Sequence, residues 1–171
     1  MKQIITSLDI GTNSIKLIVG EIYREKLFVL AVSKVNSKGI KKGIVVNDEE
    51  VILSLKEAFK EVESVIGTKI NRVILCVPSY FASFVKSEGY TTISRDDAIV
   101  TGEDITRSLQ ASVYNRVSPN LELVSVSPMY FIINEKEVVS DPKGMEAFKV
   151  SANTMLAMAP KKSIYPLIAI L

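Results

Sequence analysis

The chain of 171 residues contains no histidine. That absence removes histidine general bases, Ser-His-Asp and Cys-His triads, and every metal site built on imidazole. It has one cysteine, Cys76. A lone thiol makes neither an internal disulfide nor a thiolate zinc cluster, and it fits a reducing compartment. No apolar run reaches the roughly 20 residues that span a bilayer. The opening Met1-Lys2-Gln3-Ile4-Ile5 is not a secretory signal, because Asp9 cuts its apolar stretch short and no small-residue cleavage site follows. A cytoplasmic protein is therefore expected. Charge of one sign is missing too: Lys plus Arg number 21 against 19 Asp plus Glu, a net +2. A dedicated nucleic-acid binder needs a more concentrated basic surface. What is left for function is carboxylates, lysines, hydroxyls and backbone, on a composition that is 47% hydrophobic and globular.

The first third reads strand, strand, strand, helix, strand. Gln3 to Leu8 is a short apolar-rich run ending in Asp9, and Gly11-Thr12-Asn13-Ser14 is turn chemistry. Ile15 to Glu21 and Leu27 to Val35 follow as strands, joined by the polar turn Tyr23-Arg24-Glu25-Lys26. Ser37 to Gly43 is a glycine-punctuated loop. Asn47 or Asp48 then caps a helix in which Val51, Leu55, Ala58 or Phe59, and Val62 recur at helical spacing, with Gly67 as its carboxyl-terminal cap. Arg72 to Val77 reads as a buried strand closed by Pro78, with Cys76 a small buried hydrophobe. Two hairpin connections and one helical crossover predict a mixed sheet in an α/β unit.

From about Ser79 the texture changes. Phe81 to Ile93 is extended, Gly102 opens a helix to about Asn115, and Leu121 to Ile133 is a long strand in which Pro128 marks an edge or a bulge. Val138-Val139 and Lys149 to Ala157 complete a small α+β module with boundaries near Ser79 and Pro160. Tyr80, Phe81, Phe84, Tyr90, Tyr114, Tyr130 and Phe131 concentrate there, and core packing is the expected account of most of them. The last eight residues, Ile164 to Leu171, are almost wholly apolar and suit a helix starting near Pro160 or Ser163. An apolar end without a cap reads as a chain cut inside a larger protein.

The strongest chemical signal is Asp9-Ile10-Gly11-Thr12-Asn13-Ser14-Ile15-Lys16, at the tip of the first hairpin. The amides of Gly11, Thr12 and Asn13 can converge on phosphate oxygens. The Thr12 hydroxyl and Lys16 ammonium add a donor and a charge, and Asp9 can hold Mg²⁺ through water. Neither a Walker A nor a Gly-X-Gly-X-X-Gly pattern is present. Lys34, Lys38, Lys41 and Lys42 form a basic loop that reads as solvated, and Glu57, Glu61 and Glu63 mostly decorate the exposed face of the first helix.

The stretch Ser7 to Lys16 resembles the first phosphate motif of the superfamily of actin, sugar kinases and heat-shock-chaperone ATPases. Within it, the chain resembles the amino-terminal part of the FtsA family of bacterial cell-division proteins. The supporting residues are Ser37-Lys38-Gly39-Ile40-Lys41-Lys42-Gly43-Ile44-Val45, Gly102-Glu103-Asp104-Ile105, Pro128 before Tyr130-Phe131-Ile132-Ile133, and Ser140-Asp141-Pro142-Lys143-Gly144-Met145.

The resemblance implies half of an actin-like (ribonuclease H-like) domain. Residues 1–79 and 160–171 would be subdomain 1A, and 80–159 an inserted module like subdomain 1C. It implies that Asp9, Gly11, Thr12, Asn13 and Lys16 face the phosphates of ATP, with Mg²⁺ near Asp9. It further implies head-to-tail self-association through the inserted module, for which Glu103, Asp104 and Arg107 are the candidate contacts. Tethering of FtsZ filaments to the cytoplasmic face of the membrane and recruitment of later division proteins would follow in a complete protein. A second Asp-Ile-Gly-Gly-Gly phosphate motif is not in the chain. One wall of a nucleotide cleft predicts weak or no ATP binding by this chain alone, and an ATPase that is weak at most, with no catalytic residue to assign. The competing readings are a small-molecule kinase of the same superfamily and a pilus-assembly actin-like adaptor.

Overall fold

The hairpins and the crossover expected from the sequence are present in a computed structural model that describes residues 3–171. The chain forms two units, one running to Tyr80 and resuming over Lys162–Leu171, the other covering Phe81–Lys161.

In the first unit, β1 (Gln3–Ile10), β2 (Ser14–Tyr23) and β3 (Lys26–Asn36) are antiparallel neighbours. The short β4 (Ile40–Lys41) and β5 (Ile44–Val45) pair with each other. Helix α1 (Asp48–Ile66) then carries the chain to β6 (Ile74–Cys76), which runs parallel to β1. The sheet order is β3-β2-β1-β6. Period-2 alternation puts Leu8, Ile10, Ile15, Leu17, Val19, Ala31 and Val35 on the face where α1 contributes Val51, Leu55, Ala58 and Val62. Asn47 Oδ1 accepts from the Glu50 amide at the start of α1, and Gly67 ends it in the left-handed region with its N–H on the Glu63 carbonyl. Helix α3 (Lys161–Ala169) adds Leu167 to this core.

Three expectations need correction here. Residues 37–43 are not only loop, since they contain β4 and the turn into β5. The strand expected over 72–77 shortens to Ile74–Cys76 and pairs with β1 alone, so Ile74 and Cys76 are exposed. An apolar run without alternation does not distinguish a central strand from an edge. The glutamates of α1 are not all decoration either. Glu61 accepts a 2.6 Å hydrogen bond from the buried Ser33 hydroxyl, and Glu63 holds the Ile70 amide and the Lys69 ammonium.

The second unit is an antiparallel sheet in the order β7-β10-β8-β9, formed by β7 (Ser83–Thr92), β8 (Leu121–Ile133), β9 (Glu137–Val139) and β10 (Lys149–Pro160). Pro128 lies at a register shift against Asn153/Thr154, outside the span of β8 that β9 covers, so its missing N–H costs no ladder bond there. Helix α2 (Gly102–Val113) packs on β7 and β10. It approaches closely because Gly89 has no side chain: a Cβ there would stand 2.0 Å from the Ser112 nitrogen. The hydroxyls beneath the helix are partnered. Ser87 Oγ donates to the Ser112 carbonyl, and Thr154 Oγ1 lies 3.1 Å from Ser112 Oγ. Most of the aromatic residues are not core: Tyr80, Phe84, Tyr90, Tyr114 and Tyr130 are exposed, while Phe131 is buried. The sheet is filled instead by Ile93, Val100, Ile133, Val150 and Ala152.

Candidate functional site

The carboxyl ends of the parallel strands β1 and β6 point the same way, which is where open α/β sheets place their ligands. A cleft of ≈ 590 Å³ opens there, within the first unit. Asp9, Ile10, Gly11 and Thr12 line it from the β1–β2 hairpin, Lys42 and Gly43 from the β4–β5 turn, and Val77 to Tyr80 from the segment after β6. It therefore has an apolar side and a side of backbone, hydroxyl and charge, a combination suited to small-molecule binding.

Each residue of the hairpin has a definite local role. Asp9 sits opposite Lys16 across the β1–β2 ladder, and Lys16 Nζ donates to Asp9 Oδ2 at 3.0 Å with both side chains about half exposed. The pair is neutral as a unit. The Gly11 amide donates to the Ser14 carbonyl at 3.1 Å, closing the turn. Gly11 is thus not an amide donor to a ligand as the sequence reading had it. It is needed because a Cβ would meet the Ser14 oxygen at 2.9 Å. The Asn13 carbonyl accepts from the Ser37 amide. The Thr12 and Asn13 amides make no hydrogen bond among the described residues, and these are the two donors the hairpin leaves for an anion. Thr12 Oγ1 accepts from the Gly43 amide at 3.0 Å, which leaves the hydroxyl proton to donate. Asp9, Gly11 and Thr12 line the cleft; Asn13 and Lys16 sit at the hairpin beside it. No group of three metal-ligating side chains occurs among the described residues, so a cation here would keep most of its waters, as Mg²⁺ does. The donors and the single carboxylate fit a phosphate with Mg²⁺.

Lys42, expected in a solvated loop, lines this cleft. Its signal was Lys41-Lys42-Gly43 itself. Lys42 (φ 49°) and Gly43 (φ 74°) are consecutive left-handed residues between the paired Lys41 and Ile44, the geometry of a two-residue hairpin turn.

The candidate interface residues on α2 divide sharply. Glu103 is exposed and Arg107 half exposed. Asp104 is fully buried and does not present itself to a partner. Its carboxylate accepts from Arg95 Nη2 (2.6 Å), Arg107 Nη2 (2.6 Å), and the Thr101 hydroxyl and amide, completing a capping box with Thr101. The Arg95 hydrogen bonds, against the cost of burial and with help from Thr101 and Arg107, hold the Asp104 carboxyl far below the usual carboxylate range. Arg95 also donates to the Ile99 carbonyl, so this cluster ties the 95–101 loop to the helix start.

Residues 82–157 match the SHS2 domain inserted in FTSA. Over 166 residues the chain is 28% identical to the cell division protein FtsA of Bacillus subtilis (strain 168), an alignment covering 97% of this chain and 38% of that protein. It is 27% identical over 162 residues to FtsA of Streptococcus pneumoniae serotype 2, covering 95% of this chain and 35% of that protein. The chain thus spans little more than a third of the length of these relatives. Among solved structures, a chain of a PilM–PilN type IV pilus biogenesis complex superposes with a TM-score of 0.58 at 12% identity, covering 97% of this chain and 43% of that one. At that identity the likeness is one of fold. The expected fold class holds: a mixed-sheet α/β unit of actin-like type with an inserted α+β module.

Proposed function

We propose, for a chain that matches the amino-terminal portion of the FtsA cell-division family, that it forms the phosphate-facing wall of an ATP-binding, self-associating division protein. In the complete protein this assembly would hold FtsZ filaments at the cytoplasmic face of the membrane and meet later division proteins. The observation that carries the reading is the cleft at the β1–β2 hairpin, where two unengaged amides and a free hydroxyl proton stand beside Asp9 and Lys16.

In this reading the Thr12 and Asn13 amides and the Thr12 hydroxyl hold phosphate oxygens, Asp9 holds Mg²⁺ through water, and Lys16 neutralises phosphate charge. Bound Mg·ATP supplies the negative charge and the bulk that would favour a closed, polymer-competent state. Lys16 is committed to Asp9, so phosphate alone must compete with a carboxylate for it. Asp9, if engaged by a hydrated cation, would release the Lys16 ammonium to phosphate oxygens. Anion and cation should therefore bind together.

A small-molecule kinase needs a carboxylate base beside the transferred group. The one carboxylate lining this cleft is Asp9, already paired with Lys16, which favours assembly over group transfer. The PilM likeness extends to fold only, and the pilus-adaptor reading has no further support.

The functional test is a hybrid in which this chain replaces the aligned segment of the Bacillus subtilis protein. A hybrid that accumulates and restores septation in cells depleted of FtsA supports the reading. One that accumulates and leaves septation blocked contradicts it.

A further inference from the structure

We infer that the β4–β5 turn is the second half of the phosphate site, and that Lys42 is a second cation toward a polyphosphate, beside Lys16. The inference rests on the nucleotide reading and adds to it an element that the β1–β2 motif does not contain.

Three observations carry it. First, Lys42 and Gly43 line the same cleft as Asp9, Gly11 and Thr12, although about 30 residues of chain separate the two turns. Second, the turns are latched: the Gly43 amide donates to Thr12 Oγ1, so the hydroxyl that faces a ligand is oriented by the second hairpin. The opposite flank of that hairpin rests on the segment after β6, where a Cβ on Gly43 would come within 3.6 Å of Pro78. Third, the charges are unequal in availability. Lys16 is neutralised by Asp9, whereas Lys42 makes no ion pair among the described residues. Until a cation engages Asp9, an anion entering the cleft meets an unpaired ammonium at Lys42 and a paired one at Lys16.

A purely conformational account of Lys42 is weaker. The left-handed region at a two-residue turn favours Gly, Asn or Asp, and a lysine there is strained. Arg24-Glu25 and Asn134-Glu135 adopt the same region in other hairpins of this chain, so strain alone does not single Lys42 out. What sets it apart is its place on the wall of the cleft. The ligand class is a di- or triphosphate carried with Mg²⁺. Inorganic tripolyphosphate and ATP share that group and differ in the base, for which the apolar side formed by Val77, Pro78 and Tyr80 is the neighbouring surface.

The test is a titration of the isotopically labelled chain with Mg·ATP and, separately, with Mg·tripolyphosphate, following the amide signals of Thr12, Asn13 and Gly43. Lys42→Gly is the informative variant, because glycine suits the turn and removes the cation without straining the fold. The expected result is retained thermal stability with affinity for both ligands reduced about fivefold or more. Lys42→Met, which keeps the aliphatic stem, should lose as much, and Lys42→Arg should retain most of the affinity. Wild-type affinity in both Lys42→Gly and Lys42→Met would overturn the role of Lys42 while leaving the hairpin reading intact. Thr12 and Asn13 signals that stay unmoved in the wild-type chain would overturn the nucleotide reading, and this inference with it. A response to Mg·ATP but not to Mg·tripolyphosphate would also contradict it, since binding would then rest on the base.

Discussion

Gly89 and Asp104 decide more of this molecule than their size suggests. At Gly89 the atoms a Cβ would meet are the Ser112 nitrogen, the Ala111 carbonyl carbon and the Ser108 oxygen, all backbone, so no side chain can swing aside. Gly89→Ala should destabilise the second unit by about 3 kcal/mol or more, read as a shift of its urea midpoint. Asp104 gathers Arg95, Thr101 and Arg107, and the arginines remain a third to a half exposed. Solvent screening therefore keeps Asp104→Asn near the lower end for a broken buried pair, about 2–3 kcal/mol at neutral pH. The pH dependence has a definite sign. In the unfolded chain Asp104 takes up its proton near pH 4, while in the folded chain it stays ionised to much lower pH. Its contribution is complete above about pH 5 and falls away as the pH drops below about 4. The gap between wild type and Asp104→Asn should narrow over that range, and a gap that is constant with pH would contradict the assignment. Neither residue was legible in this role from sequence. A glycine in a Thr-rich strand does not announce a helix lying on it, and an acidic residue at the third helical position reads equally well as cap or as surface. The nearby Thr101, three residues before Asp104, was the available capping-box signal.

Among the elements, hairpins and helices were the legible part. The range of β8 and both caps of α1 follow directly from residue pattern and turn chemistry. The β4–β5 hairpin is not legible because two-residue strands carry no periodicity, and its turn, Lys42-Gly43, lines the same cleft as the first hairpin. Thr12 joins that turn to the first hairpin. Thr12→Val should weaken Mg·ATP binding and move the Gly43 amide signal even without ligand, whereas Thr12→Ser should preserve both. The exposure of β6, expected as a buried strand, has a related reason: composition gives burial tendency, not the number of neighbours. β3 is an edge whose Phe28, Leu30 and Val32 are exposed, and Val32 pairs with the exposed Ile18 of β2. An apolar edge of this length invites association with another chain. Val32→Lys should reduce the concentration dependence of sedimentation of this chain with little change in melting temperature. Sedimentation identical in wild type and Val32→Lys would contradict a role for the β3 edge in association.

For the molecule as a whole, the division at Tyr80/Phe81 and Lys161/Lys162 separates two kinds of work. The first unit carries the cleft at the β1–β2 hairpin, and the second carries the SHS2 match and the α2 helix. With Asp104 occupied internally, the surface that α2 offers near its start is Glu103 and Arg107. Glu103→Lys in the hybrid protein should weaken self-association while leaving the buried Asp104 cluster intact, and unchanged sedimentation would count against α2 as a contact. The fold class was readable because strand–strand–strand–helix–strand order admits few arrangements. The cleft-lining turn at Asp9 to Thr12 was readable because turn residues announce themselves, and the place of Lys42 beside it was not, because the latch between the two turns, the Gly43 amide on Thr12 Oγ1, joins residues distant in sequence.

The central claim is that the β1–β2 hairpin takes phosphate and Mg²⁺ together. Its most direct test is the affinity of the wild-type chain for ATP with and without Mg²⁺, read from the Thr12 and Asn13 amide signals. The account predicts weak binding, on the order of millimolar, that tightens several-fold when Mg²⁺ is present and loses that gain in Asp9→Asn. Equal affinity with and without Mg²⁺, or a gain that survives Asp9→Asn, would contradict it.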